Sequence, residues 1–288
     1  MEKPLSVVVP IHKSSEEYSD SPLKQWAKSI DSRCRLVLSL DHTEEGDSLT
    51  SWCKKEIPSA IDTVHGTFGN PGQTRNNGLS RVSSEWLAFA DSDDYFDSSS
   101  AVDAIEDFYD SYDLIVCNYL TIDKNSGKIF KGRNPKCLAD LFPELGFWRV
   151  LYRSDFVKDL KFPHYRMGED QIYFSRVLAK NPKIAYSPRI IYRYTLGLPA
   201  QLSQSKSSIM ELQQSLKQMR IELTQSRNHE DFRKLILLRQ EISYKIKTKK
   251  RVNLIALAKQ LKLGLRDIPL IIKCFKNLSL WYLKRKII

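Results

Sequence analysis

The sequence predicts an α/β protein: a mostly parallel sheet flanked by helices, followed by a basic α-helical extension. Three observations carry that expectation. Short apolar runs alternate with helical patterns at intervals of roughly 25 residues, the spacing of βαβ units. Acids and a histidine stand at the ends of those runs, so they fall on one predicted sheet edge, where parallel sheets bind ligands. Beyond about residue 205 the alternation stops and the charge changes sign: residues 1–200 carry a net −3, residues 201–288 a net +14, and the 288-residue chain +11.

The elements follow in order. "LSVVVPIH" (Leu5–His12) is a β-branched run and reads as a buried strand. "PLKQWAKSID" (Pro22–Asp31) has helical spacing, and "RLVLSLD" (Arg35–Asp41) is a second strand. "SLTSWCKKEI" reads as a helix capped by Asp47 or Ser48. "AIDTVHG" is a third strand, "TRNNGLSRVS" a helix and "EWLAFAD" a fourth strand. Helix "AVDAIEDFY", strand "DLIVCNYLTI" and a turn at "KNSGK" come next. Gly168-Glu169-Asp170 opens a helix carrying Ile172, Phe174 (or Tyr173) and Val177, and "KIAYSPRIIYRYT" is a strand bent at Pro188. Four helical segments fill the remainder, and a boundary near residues 202–208 divides a domain over 1–204 from a helical region over 205–288.

Composition excludes several classes. Cys34, Cys53, Cys117, Cys137 and Cys274 are scattered without a CxxC pair, so neither a zinc knuckle nor a disulfide framework is expected; reduced cysteines suit a cytoplasmic protein. Pro10 closes the first apolar run, so no signal peptide is read, and no window approaches the roughly 18 apolar residues of a membrane span. The basic tail calls for an anionic partner, a membrane surface or a nucleic acid.

The stretch "EWLAFADSDDYF" runs from a strand into Asp91, Asp93 and Asp94. Each pair of close carboxylates costs about 1 kcal/mol at the dielectric of water and about 4 kcal/mol near an effective dielectric of 20. A helix cap needs one acceptor, not three. A divalent cation held by one or two of these acids together with substrate phosphates removes the repulsion. Asp94 remains equally suited to capping the following helix.

"GNPGQTRNNGLSRVSSEWLAFADSDDYF" resembles the signature of family 2 glycosyltransferases: a glycine-rich turn, an Arg-Asn pair (Arg75, Asn76), Gly78, Leu79, then an apolar strand ending in Asp91-Ser92-Asp93-Asp94. "LSVVVPIH" resembles the family's opening strand ending in Pro10, Asp41 matches the acid that contacts the nucleotide base, and "MGEDQIYFSRVLAK" resembles the helix bearing the catalytic base. The likeness spans residues 4–205 and implies a GT-A fold, with a nucleotide-binding half over about 1–100 and an acceptor half over about 101–204. Two departures stand out: Lys13 replaces the usual Asn after the first strand, and the usual Asp-Asp-Gly-Ser reads Asp41-His42-Thr43-Glu44.

The resemblance implies a metal-dependent (Mn²⁺ or Mg²⁺), inverting transfer from a nucleotide sugar, a UDP-sugar by family habit. The acceptor is a hydroxyl of a glycan or lipid-linked molecule in surface polysaccharide synthesis. Asp93 is the expected principal metal ligand, with Asp91 on the ribose or a metal-bound water and Ser92 beside them. Asp170 is the expected base. Glu169, facing another way on its helix, is assigned to the acceptor or to structure. Arg75 meets a phosphate or pairs with Asp91. His12 brings backbone to the nucleotide pocket while its side chain either lines it or faces solvent. His164 and Tyr165 are acceptor-site candidates, and Arg176 pairs with an acid. In the tail, Leu254, Leu257, Leu261 and Leu265 share helical spacing with Lys259 and Lys262, and Ile271, Ile272, Phe275 and Leu278 lie near Trp281 and Tyr282. That composition suits a helix at the inner membrane face, or helices that simply pack on the rest. The competing readings are a sugar nucleotidyltransferase, which lacks its expected glycine-rich loop here, and a nucleic-acid-binding protein, which leaves the acids without work.

Overall fold

The computed structural model describes residues 3–12, 22–42, 51, 55, 61–108, 111–132, 134–142, 145–196, 206–263, 267–269 and 271–272. The expected helix "SLTSWCKKEI" and the segment from Phe275 to Tyr282 lie outside the described residues, apart from Ser51 and Lys55. The chain forms two compact units: residues 1–136, 147–164 and 182–200 in one, and residues 137–146, 165–181 and 201–288 in the other.

The first unit is a nine-stranded mixed sheet. Its strands are β1 (Leu5–His12), β2 (Cys34–Asp41), β3 (Ile61–Gly66), β4 (Trp86–Phe89), β5 (Tyr95–Phe96), β6 (Leu114–Asp123), β7 (Ile129–Lys131), β8 (Val150–Arg153) and β9 (Ile184–Leu196). They run in the order β3-β2-β1-β4-β8-β6-β9-β5, with β7 on β6. The first four are parallel to one another, and β6 is parallel to β9; β8 enters antiparallel between β4 and β6. Buried on both faces, β1 and β2 show near-continuous apolar runs rather than alternation. β9 bulges against β6 between Tyr186 and Ile190, so Pro188 sits where the ladder is already broken. The turn expected at "KNSGK" is closed by Gly127 N–H on Asp123 O.

Among the described residues, four helices flank this sheet: α1 (Pro22–Ala27), α2 (Pro71–Leu79), α3 (Ser98–Phe108) and α4 (Ser154–Val157). Helix α1 is shorter than its periodicity suggests, because the Ser29 N–H and hydroxyl both turn back onto Trp26 O. Trp26 and Leu23 pack into a core with Val7, Val9, Leu36, Leu38, Ala88 and Phe96.

The second unit is helical: α5 (Glu169–Ala179), α6 (Lys206–Gln225), α7 (Glu230–Lys247) and α8 (Leu254–Gln260). Their apolar faces bury Ile172, Val177, Leu212, Leu216, Met219, Leu235, Ile236, Leu238 and Ile242. The tail helices α6 and α7 thus pack on each other and on α5. No helix among the described residues is long and apolar enough to cross a membrane.

Candidate active site

The parallel register sets His12 beside Asp41, and Asp41 beside Gly66, at the carboxyl ends of β1, β2 and β3. Pro10 lies in β1 beyond Val8, the last residue paired with β4, so its missing N–H interrupts no ladder on that side. Asp41 is buried, and its carboxylate accepts the N–H of Phe68 at 2.6 Å and of Gly69 at 2.9 and 3.2 Å. Gly69 has φ +67°, a left-handed conformation that glycine adopts at no steric cost. His42 also lies in the left-handed region at φ 59°, its N–H on Gly66 O at 2.8 Å and its Nε2 3.6 Å from Asp41 Oδ1. The His12 and His42 rings meet edge-on at 5.4 Å.

Helix α2 positions the second group. It begins three residues before the expected start, because Asn70 caps it through Gln73 N–H and Pro71 suits the first turn. Gly78 allows the helix onto the sheet: a Cβ there would lie 2.6 Å from Val8 Cγ1 and 3.3 Å from Ser39 Cβ. Asn76 holds Phe162 by both backbone groups, Nδ2 donating to its O at 2.9 Å and Oδ1 accepting its N–H at 2.8 Å. Arg75 is buried between Phe147 and Phe162, its guanidinium 4.7 and 5.5 Å from their ring centroids, and Nη2 donates to Asp91 Oδ1 at 2.7 Å. Of the two roles expected for Arg75, the pairing with Asp91 is the one this geometry contains.

Asp91 to Asp94 form a turn after β4, closed by Asp94 N–H on Asp91 O at 3.2 Å, with Ser92 half-buried inside it. Asp94 does not cap α3; that role belongs to Asp97, whose Oδ1 accepts Ser100 N–H at 3.0 Å. Asp94 instead accepts the Tyr192 hydroxyl at 2.8 Å and Thr195 N–H at 2.6 Å, while Tyr192 Oη accepts Asp91 N–H at 3.0 Å. Tyr192 stacks on Trp148 at 4.2 Å, and Trp148 stacks on Tyr194 at 5.7 Å, so the hydroxyl serving two of the acids is held rigidly.

Burial, then the neighbouring Asp91 charge, pushes Asp93 up to about 6. Burial, then Asp93 and Asp91, raises Asp94 well above the usual carboxylate range. Ligand oxygens of Asp91, Asp93 and Asp94 lie within 4.8 Å of one another. An all-oxygen set with this excess of negative charge fits a hard divalent cation such as Mg²⁺ or Mn²⁺. With Asp94 engaged by Tyr192 and Thr195, Asp91 and Asp93 are the acids suited to hold it.

Glu169 and Asp170 belong to the helical unit, in the first turn of α5 after Gly168 at φ +84°. A Cβ on Gly168 would lie 2.7 Å from Ser215 Oγ and 2.9 Å from Gln240 Nε2, so α6 and α7 crowd this turn. Further along α5, Arg176 pairs with Glu222 at 2.6 Å. The fully buried Arg233 donates to Ser175 Oγ at 2.9 Å, Ser226 O at 2.8 Å and Glu222 O at 2.6 Å.

The sheet unit therefore assembles Arg75, Asp91, Ser92, Asp93 and Asp94 in one group, and Pro10, His12 and Asp41 along neighbouring strand ends. Glu169, Asp170 and Tyr165 lie in the helical unit, while His164 is exposed in the sheet unit with Nδ1 3.3 Å from Asn70 Nδ2. Sequence reasoning missed Tyr192 and Thr195; the polar alternation in "YRYT" was their only trace.

The profile described as Glycosyl transferase family 2 matches residues 6–180, well over half of the chain. The chain belongs to that family. It is 22% identical to EpsH of Bacillus subtilis (strain 168) over 253 residues, 81% of this chain and 73% of that protein. It is 25% identical over 206 residues to a poly(ribitol-phosphate) beta-glucosyltransferase of Bacillus spizizenii, covering 66% of this chain but only 32% of that longer protein. Among solved structures, residues 1–349 of S. aureus TarS in complex with UDP-GlcNAc superpose with a TM-score of 0.64 at 19% identity, over 95% of this chain and 80% of that one. The glycosyltransferase thus has the GT-A fold that the resemblance of its sequence implied.

Proposed function

We propose that this glycosyltransferase is metal-dependent and inverting, and that it moves a sugar from a UDP-sugar to a hydroxyl of a glycan or lipid-linked acceptor in surface polysaccharide synthesis. The observation that carries the reading is the group of Asp91, Asp93 and Asp94 at a strand end, tied to Arg75 and Tyr192. UDP-GlcNAc in TarS and the poly(ribitol-phosphate) acceptor in the Bacillus spizizenii enzyme's name support the donor and acceptor classes. In this reading residues 1–100 form the nucleotide half and 101–204 the acceptor half, with 205–288 as the basic helical region.

Asp93 and Asp91 would hold the Mn²⁺ or Mg²⁺, which when bound neutralises the diphosphate leaving group. The rest is done by the chain. Arg75 orients Asp91 through the bond from Nη2 to Oδ1. Pro10, His12 and Asp41 line the pocket for the donor base, Asp91 meets the ribose or a metal-bound water, and Ser92 contacts the nucleotide sugar beside it. Asp170 takes the proton from the acceptor hydroxyl. Attack opposite the leaving group then inverts the anomeric carbon. Glu169, His164 and Tyr165 serve the acceptor. The exposed Ile255, Ile268 and Ile272 beside Lys249, Lys250, Arg251, Lys259 and Lys262 suit the inner face of an anionic membrane.

Thermal unfolding with UDP, GDP, CMP and dTDP, each with and without Mn²⁺, tests the reading beside an Asp93→Asn variant. A nucleotide at about 100 times its Kd stabilises by roughly 2.7 kcal/mol, a shift of several degrees at about 2–4 °C per kcal/mol. The expected result is a Mn²⁺-dependent shift with UDP, absent in the variant. A shift indifferent to metal, or one confined to another nucleotide, would overturn the metal or donor assignment.

A further inference from the structure

We propose that His12, Asp41 and His42 form a second metal site, one that takes a zinc-class divalent cation on two imidazoles and a carboxylate. Their ligand atoms lie within 4.8 Å of one another. Tetrahedral zinc with bonds near 2.0–2.2 Å sets its ligand atoms roughly 3.3 Å apart, and His42 Nε2 already lies 3.6 Å from Asp41 Oδ1. Both histidines are exposed, so side-chain rotation can close the remaining gap. Asp41 is buried and held by the N–H groups of Phe68 and Gly69, the outer-shell fixing that metal-binding carboxylates require.

The backbone is the independent observation. His42 is held at φ 59°, a left-handed conformation that residues other than glycine adopt only occasionally, histidine more often than most, and its N–H donates to Gly66 O. That conformation brings the ring back over Asp41. His12 reaches the same point from the neighbouring strand, where the register pairs it with Asp41. Two imidazoles favour zinc over Mg²⁺ or Mn²⁺, whereas the all-oxygen group of residues 91–94 has the opposite preference. One sheet edge thus sorts two cations by ligand chemistry. Because Asp41 is also assigned to the donor base, a point resting on the proposed function, a zinc-class ion there competes with nucleotide.

Co²⁺ titration of the chelator-treated full chain tests the site through the visible absorption of a four-coordinate nitrogen–oxygen cobalt complex. Saturation at one equivalent is expected, with Zn²⁺ displacing the Co²⁺. His12→Gln and His42→Asn should each weaken binding at least tenfold, and Asp93→Asn should leave it intact. Asn tolerates the left-handed backbone, so His42→Asn should keep the wild-type unfolding midpoint. Binding that survives both histidine changes, or that disappears in Asp93→Asn, would overturn the proposal, as would no saturable cobalt signal. Zn²⁺ should also raise the apparent Kd for UDP at least tenfold in the wild type and not in His42→Asn. If UDP fails to bind at all, the donor assignment falls while the cobalt titration still decides the metal site.

Discussion

The two acidic motifs of this glycosyltransferase are held by different means. Asp91, Asp93 and Asp94 stand at a strand end and are tied to backbone N–H groups, one arginine and one tyrosine hydroxyl. Glu169 and Asp170 open a helix that is wedged against α6 and α7 and braced by buried Arg233. The first arrangement depends on the sheet unit alone. The second makes a proposed catalytic helix depend on residues far along a basic tail. Packing of α6 and α7 thus answers half of the question raised by that tail: those two helices are structural, whatever the more distal segment does.

Asp170→Asn should break the contrast most sharply. It keeps the helix start but removes the proposed base, so kcat should fall about 10²–10⁴-fold with UDP binding and unfolding midpoint unchanged. A fall in stability instead would assign Asp170 to structure. Arg233→Ala should act in the reverse sense. It strips donors from three acceptors, two of them buried, costing about 3 kcal/mol, and calorimetry should show the midpoint lowered by several degrees.

Gly78→Ala addresses the sheet side. Overpacking against Val8 should cost about 1–3 kcal/mol, and Val8→Ala in the same chain should recover part of it, a coupling that a double-mutant cycle would measure. The smallest effect concerns pH. Asp93, held at about 6 against an ordinary value of 3.8, keeps in the folded state a proton that the unfolded chain has already released. The cation-free protein should therefore lose stability as pH rises from about 4 to about 6. A cation requires the ionised acid, so apparent Mn²⁺ affinity should fall about tenfold per pH unit below about 6. Titrations on either side of that value should give this slope in the wild type and none in Asp93→Asn.

Much of the sheet could be read in advance, because β1, β2 and β4 are apolar runs bounded by turns and their period is a local property. The Arg75–Asp91 pair was within reach for a similar reason: one short helix and one strand connect them. Asp94 was not. Its two partners come from β9, about a hundred residues later, and a polar residue in a strand carries no sign of which distant group it meets. The helical pattern of α6 and α7 was equally plain, yet such a pattern does not say what the helices pack against. The Ser175–Arg233 contact that answers this has no local signature at all.

The dependence of Asp94 on Tyr192 and Thr195, 98 and 101 positions further on, also has a meaning in time. During synthesis the strand ending at Asp91 emerges long before the residues that neutralise the demands of the acids beside it. A nascent chain stopped short of β9 has β6 paired with β7 and β8 only, and it lacks the Tyr192 hydroxyl and Thr195 N–H that hold Asp94 among three crowded carboxylates. The acid site is therefore among the last parts of the sheet unit to become whole, and only chains that have been made through Thr195 possess it.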